Sequence, residues 1–172
     1  TDFSESLGKR PHGDLLQSLT QLGVDTSSNN GKLPITLRGG SLRGGRISVS
    51  GASSSQYLSS LLFLAPLIGE DIEIEVRNGL VSKPLVRTTL EVMERAGIVV
   101  EFTADLLNFS IAGGQNYSAG DFTINGDYPS VAAIFAAGSV VGGDFTVGRL
   151  FLDSQGEQSA LALLEKMGCK LE

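Results

Sequence analysis

Apolar and polar positions alternate along Ile47-Ser-Val-Ser-Gly51, which predicts a strand with one buried face. The alternation stops at Gly51. From Gln56 to Leu67 the chain carries no charge, so a helix over 54–67 is predicted to be buried. Alternation returns after Gly69-Glu-Asp71 and gives way near Lys83 to a helical period. Over 83–96, Val86, Leu90 and Met93 line one face, and Arg87, Glu91, Glu94 and Arg95 line the other. Arg87/Glu91 and Glu91/Arg95 have the i,i+4 spacing of a surface helix. A further strand is predicted over 107–112, after a short turn.

This order recurs. Leu90-Glu-Val-Met-Glu-Arg-Ala-Gly-Ile-Val-Val-Glu101 matches Leu161-Ala-Leu-Leu-Glu-Lys-Met-Gly-Cys-Lys-Leu-Glu172, 71 positions on. Leu16-Gln-Ser-Leu-Thr-Gln-Leu-Gly-Val-Asp25 is a weaker third copy. Each reads as a helix end, a glycine stop suited to a left-handed backbone, and a strand. Upstream, Ile47–Gly51 resembles Phe122-Thr-Ile-Asn-Gly126, and Gly69-Glu-Asp71 resembles Gly142-Gly-Asp144. Ser130–Val141, also free of charge, is predicted to be a second interior helix. The predicted unit is βαβαββ, with a period of roughly 70 to 75 residues. The second copy stops before its last strand. Right-handed crossovers would make the strand pairs parallel, with an antiparallel partner from the final strand. The fold class is thus α/β (α+β), built from repeated βαβαββ units with buried helices.

Composition narrows the function. A chain of 172 residues holds one good core or two small ones. Its net charge of −6 argues against a nucleic-acid surface, yet leaves room for a small phosphorylated ligand held by a few local cations. No run is apolar for long enough to span a membrane. Cys169 has no second cysteine to pair with, which suits a reducing compartment, and on a predicted strand it reads as a packed hydrophobe. His12, the lone histidine, has no second imidazole with which to build a metal site. No secretory signal pattern opens the chain. With no initiating Met and a strand-like run at the other end, the sequence reads as a piece of a longer protein.

The candidate chemistry begins where the first uncharged helix does. Ser53, Ser54, Ser55 and Gln56 stand where four amides lack intrahelical partners and the helix dipole is positive, a natural anion site. The same serines also read as an N-cap with small packing residues behind it. On residues alone, Ser82-Lys83-Pro84 reads equally as a helix start, Arg10 beside Lys9 and His12 as a wet surface, and Asp127 as an N-cap. The glycine pairs Gly39-Gly40 and Gly113-Gly114 read as turns.

Taken together, Gly8-Lys-Arg-Pro11, Val49-Ser-Gly-Ala-Ser-Ser-Ser-Gln-Tyr57, Ala65-Pro-Leu67, Leu80-Val-Ser-Lys-Pro84, Gly113-Gly-Gln-Asn-Tyr117, Gly126-Asp127 and Leu164-Glu-Lys-Met-Gly168 resemble the 5-enolpyruvylshikimate-3-phosphate synthase family. The resemblance covers nearly the whole chain and keeps motif order and spacing. It implies an inside-out α/β barrel of two domains, each of three βαβαββ units, with the active site between them. Here the barrel would be incomplete. Residues 1–124 would be the end of one unit and a whole unit of the first domain, and 125–172 the start of the second.

The resemblance further implies a cytoplasmic enzyme of aromatic amino acid biosynthesis and chorismate formation, the target of glyphosate. Such an enzyme moves the enolpyruvyl group of phosphoenolpyruvate to the 5-hydroxyl of shikimate 3-phosphate and releases phosphate, without metal or other cofactor. Carried over by residue, Ser54, Ser55, Gln56 and Ser82 resemble ligands of shikimate 3-phosphate, Arg10 the arginine that holds phosphoenolpyruvate, and Asp127 a weaker site position. A planar guanidinium donates two parallel hydrogen bonds to a carboxylate or phosphate. Two positions depart from the family: Leu85 replaces a tyrosine that packs on the shikimate ring, and Asp127-Tyr-Pro-Ser130 replaces Asp-Ala-Ser-Ser or Asp-Pro-Ser-Ser.

The proton-transfer groups of the family belong outside this stretch, so no catalytic residue is assigned within it and the isolated piece is expected to be inactive. The full enzyme is expected to be a monomer, and the piece to self-associate or dock with the missing segments through its open strand edges. The competing functions are a non-catalytic phosphate-binding module of the same fold and the sister transferase acting on UDP-N-acetylglucosamine.

Overall fold

The structure, a computed structural model, describes residues 6–171. The outermost ends of the two expected domains, 1–5 and 172, lie outside that range. The chain divides into two compact units, one ending at Ser118 and the other beginning at Ala119.

The first unit opens with a short helix α1 (Ser6–Lys9) and helix α2 (Gly13–Gln21). A hairpin follows, β1 (Asp25–Asn29) and β2 (Lys32–Arg38), antiparallel, with Asn29 opposite Lys32. Its two-residue turn is Asn30-Gly31, both at positive φ, the pair that a twisted hairpin favours. The peptide bond between Leu33 and Pro34 is cis.

The predicted βαβαββ unit comes next: β3 (Gly45–Gly51), α3 (Ser55–Leu64) with a 3₁₀ turn at Ala65–Leu67, β4 (Ile72–Leu80), α4 (Lys83–Arg95), β5 (Glu101–Phe102) and β6 (Asn108–Ile111). The sheet order is β3-β4-β6-β5. Strands β3 and β4 pair in parallel, Ile47 opposite Ile74 and Val49 opposite Val76. β6 is antiparallel to both β4 and β5, so β4 and β5 run the same way with β6 between them.

Period-two burial follows the sequence. Ile47, Val49, Ile72, Ile74 and Val76 face inward, where Leu58, Leu61 and Leu62 of α3 and Val86, Leu90 and Met93 of α4 pack on them. The two helices are also joined by a hydroxyl pair, Ser59 to Thr89, at 2.8 Å. The opposite face carries Arg46, Glu73, Glu75 and Arg77. Its Arg46–Glu75 ion pair at 3.3 Å is well exposed and adds little to stability.

Side-chain amides finish the strand edges. Gln21 Oε1 accepts from the Ser48 amide at 2.8 Å, and Gln21 Nε2 donates to the Ser48 carbonyl at 3.3 Å. Buried Ser18 donates to the same carbonyl at 2.8 Å. Gln115 treats Val99 in the same way, accepting from its amide at 2.8 Å and donating to its carbonyl at 3.0 Å. Each glutamine supplies one rung of a ladder, and at Ser48 that rung blunts the open edge of β3.

Two expectations need correction. The interior helix is not wholly enclosed: the sheet and α4 cover one side of α3, while Phe63, and Leu67 in the 3₁₀ turn that follows, remain exposed. The second copy is also less regular than its sequence suggests. The second unit contains α5 (Tyr128–Val141), a 3₁₀ turn at Gly156–Gln158 and α6 (Ser159–Lys166), and no strand among the described residues. The segments near 122–126, after 144 and after Gly168, expected as strands, are irregular, and half-buried Cys169 lies on no strand.

Where a ladder was expected, single bonds stand instead. Gly126 donates to the Arg149 carbonyl at 2.9 Å, and Asn125 uses its amide to bind both the N–H (2.7 Å) and C=O (2.6 Å) of Phe151. α5 is likewise only partly covered. Tyr128, Val131 and Gly138 are buried, while Val140 and Val141 are more than 80% exposed (85% and 81%). An uncharged helix needs cover all round, and the described residues of this unit supply one side only.

Candidate functional site

Parallel strands deliver their carboxyl ends, and the helices that follow, to one end of a sheet, which is where open α/β sheets bind ligands. β3 and β4 do this for α3 and α4. Their register runs evenly to Ser50 opposite Arg77, then slips so that Gly51 faces Leu80. The slip is a bulge at Asn78-Gly79, both at positive φ. It carries 80–82 alongside Gly51, and the Val81 amide donates to the Gly51 carbonyl at 3.1 Å. Gly51 has no alternative here: a Cβ on it would lie 2.2 Å from the Gly79 carbonyl oxygen and 2.7 Å from Val76 Cγ1.

At the α3 tip, Ser54 is the N-cap in extended conformation, and its hydroxyl accepts from the Gln56 amide at 3.2 Å. Ser54 is half-buried, Ser55 buried, Gln56 exposed. At the α4 tip, Ser82 holds a left-handed backbone (φ 53) and makes no side-chain cap bond, so its exposed hydroxyl is free of the role the sequence allowed it. Leu85, one turn further on, is exposed. Lys83 is exposed, and its charge helps to keep Asp105 below the usual carboxylate range, although the Thr103 hydroxyl at 2.6 Å and the Leu107 amide at 3.0 Å do more.

Arg10 is linked to the α3 tip through its neighbours in the chain, a connection that sequence reasoning missed. It lies in the exposed link between α1 and α2, and that link is tied to α3. The Tyr57 hydroxyl donates to the Pro11 carbonyl, Ser53 donates to the Asp14 carboxylate at 3.0 Å, and the His12 and Tyr57 rings lie 6.2 Å apart. Burial raises the Tyr57 pKa, Asp14 adds to the rise and Arg10 opposes it, which places both charges within electrostatic reach of the phenol. The missed signal was Tyr57 itself, an amphipathic residue in the first turn of an uncharged helix.

Asp127 belongs to the other unit. It is the N-cap of α5, accepting from the Ser130 amide at 3.1 Å and from the Ser130 hydroxyl. Gln155 completes that tip by accepting from the Tyr128 amide at 2.9 Å and donating to the Gly126 carbonyl at 3.0 Å. Asp153 holds Gln155 in place. Its carboxylate accepts from Gln155 Nε2 (2.7 Å) and N (2.8 Å), from Gln158 Nε2 (2.8 Å) and from Asn125. Burial works to raise the Asp153 pKa, and these donors together carry it below the ordinary value. The α5 tip is thus occupied by its own side chains. No group of three or more potential metal ligands converges among the described residues.

A family model described as EPSP synthase (3-phosphoshikimate 1-carboxyvinyltransferase) matches residues 4–172. The 3-phosphoshikimate 1-carboxyvinyltransferase of Deinococcus radiodurans is 41% identical over 172 residues, covering 99% of this chain and 39% of that protein. The chloroplastic enzyme of Nicotiana tabacum is 41% identical over 169 residues, covering 95% and 32%. An EPSP synthase structure from Acinetobacter baumannii superposes with a TM-score of 0.74 at 20% identity, over 97% of this chain and 36% of that one. The fold is therefore the α/β architecture of EPSP synthase structures, here with its sheets unclosed. The chain belongs to the EPSP synthase family. It spans about two fifths of the bacterial relative's length (39%).

Proposed function

We propose that this chain is the part of an enolpyruvyl transferase that grips shikimate 3-phosphate. The observation that carries this reading is the bulge at Asn78-Gly79, which sets the α3 and α4 tips side by side and leaves Ser82 strained and uncapped. A left-handed non-glycine residue costs on the order of 1–3 kcal/mol and persists where its surroundings demand it. Ser54, Ser55, Gln56 and Ser82 then hold the phosphate and hydroxyls of shikimate 3-phosphate, helped by the positive ends of two helices. Arg10 clamps phosphoenolpyruvate.

The reaction is transfer of the enolpyruvyl group to the 5-hydroxyl with release of phosphate. The contribution of this stretch is grip and orientation, with proton transfer supplied by groups outside it. Residues up to about Ile124 would serve the first domain and later ones the second. Asp127, engaged as a cap, is the weakest member of the set. A cytoplasmic setting fits the unpaired Cys169, while the tobacco relative's name is chloroplastic.

Calorimetry with shikimate 3-phosphate tests the proposal. Saturable binding is expected, lost in Ser54→Ala/Ser55→Ala with helicity retained by circular dichroism. Preference for a UDP-sugar would transfer the assignment to the sister enzyme. Release of phosphate by this chain alone, given both substrates, would contradict the claim that proton transfer lies elsewhere.

A further inference from the structure

We infer that Tyr57 is a positioning residue, holding Arg10 at the mouth of the α3 tip and so tying the phosphoenolpyruvate clamp to the helix that grips the other substrate. The inference rests on the function proposed above.

Arg10 sits in a three-residue link between two helices, with no ladder or helix to fix it. Three ties flank it. The His12 amide donates to the Gly31 carbonyl at 2.6 Å, anchoring the link to the hairpin turn. The other two come from the α3 tip: Tyr57 to the Pro11 carbonyl and Ser53 to Asp14 at 3.0 Å. Pro11 has no amide and a fixed φ, so holding its carbonyl sets the direction in which the chain leaves Arg10. Tyr57 stands three residues into the helix from Ser54, and its ring lies against His12. With burial and Asp14 both favouring the neutral phenol, the hydroxyl remains a donor at neutral pH. A phenylalanine would keep the ring packing and lose the tie.

This arrangement has a consequence that simple helix capping lacks. Ser54 and Tyr57 share the first turn of α3, so a shift of that turn on binding shikimate 3-phosphate moves the anchor of Arg10 as well. Loss of the Tyr57 hydroxyl is therefore expected to act on one ligand and spare the other.

The test uses the whole chain, with Tyr57→Phe and, as a second cut of the same strap, Ser53→Ala. Phosphoenolpyruvate is titrated in the presence of saturating shikimate 3-phosphate, and shikimate 3-phosphate is titrated alone. Tyr57→Phe is expected to weaken phosphoenolpyruvate about fivefold, the worth of one hydrogen bond, with shikimate 3-phosphate unchanged. The amides of Arg10 and His12 are expected to exchange faster with solvent deuterium, and Ser53→Ala to shift both readouts in the same direction. Equal weakening of both ligands, or no change in either with wild-type binding intact, overturns the inference alone. A wild-type chain that binds neither ligand removes the function proposed above and the inference with it.

Discussion

At the scale of single residues, what distinguishes the two helix tips is whether their polar groups are already used. Ser82 leaves its hydroxyl uncommitted, whereas Asp127 and Gln155 spend theirs on α5. The Asp153 network behind Gln155 makes the second tip sensitive to acid. Its folded pKa lies below the unfolded value, so its contribution is complete above the ordinary carboxylate range and is lost as pH falls through the lowered value. Amide exchange across 125–158 is expected to accelerate over that acid window in the wild type. In Asp153→Asn the acceleration is expected to be absent, since that side chain has no such charge to lose. An unchanged acid response in the variant would show that another group governs it.

At the scale of elements, the sequence made the first unit legible and the second only partly so. Strands β3 and β4 and helix α4 announce themselves because each buries one face against the same core, which forces period two or 3.6 on the chain; α3 is legible instead by its lack of charge. The hairpin β1–β2 was harder to read, because Asp25-Thr-Ser-Ser-Asn29 buries almost nothing. Its one clear cue is Asn30-Gly31. In the second unit the patterns of 122–126 and 144–147 resemble their first-unit counterparts, yet side-chain amides and isolated bonds replace the ladder. Alternation records which face a segment would bury and says nothing about whether a neighbouring strand is present.

Gly51 shows how closely elements meet at the candidate site. Gly51→Ala puts a methyl group against the Gly79 carbonyl, and that backbone has no rotamer by which to retreat. A loss of about 1–3 kcal/mol is expected, read as a lowered denaturant midpoint. Weaker shikimate 3-phosphate binding is expected with it, as the two tips part. Unchanged stability and binding would mean that the bulge relaxes freely.

At the scale of the whole chain, family membership and fold could be read from motif order, while the geometry of the site could not. Spacing along the chain placed Ser54–Gln56 and Ser82 in similar contexts, but the slip in register that aligns them depends on two positive-φ residues, Asn78 and Gly79. The tie from Tyr57 to Pro11 spans 46 positions and leaves no periodic trace. Exposed apolar residues on and beside the uncharged helices, Phe63 on α3, Leu67 in the turn after it, Val140 and Val141 on α5, are the kind of surface that seeks cover. Self-association at micromolar concentration is the expected outcome, measured as a mass above 18.0 kDa by light scattering. A single monomeric species would count against it.

The side-chain amides that stand in for ladder rungs also bear on chemical ageing. Asparagine followed by glycine degrades when the next backbone nitrogen attacks the side-chain carbonyl, and three such pairs occur: Asn30-Gly31, Asn78-Gly79 and Asn125-Gly126. The first two asparagines are exposed, one in the hairpin turn and the other in the β4 bulge. Asn125 has both ends of its amide held by Phe151, and the Gly126 nitrogen is engaged with Arg149. The bonds that replace a missing strand thus keep the most structurally important of the three from turning into aspartate, and shift the wear of storage onto the hairpin turn and onto the bulge beneath Ser82.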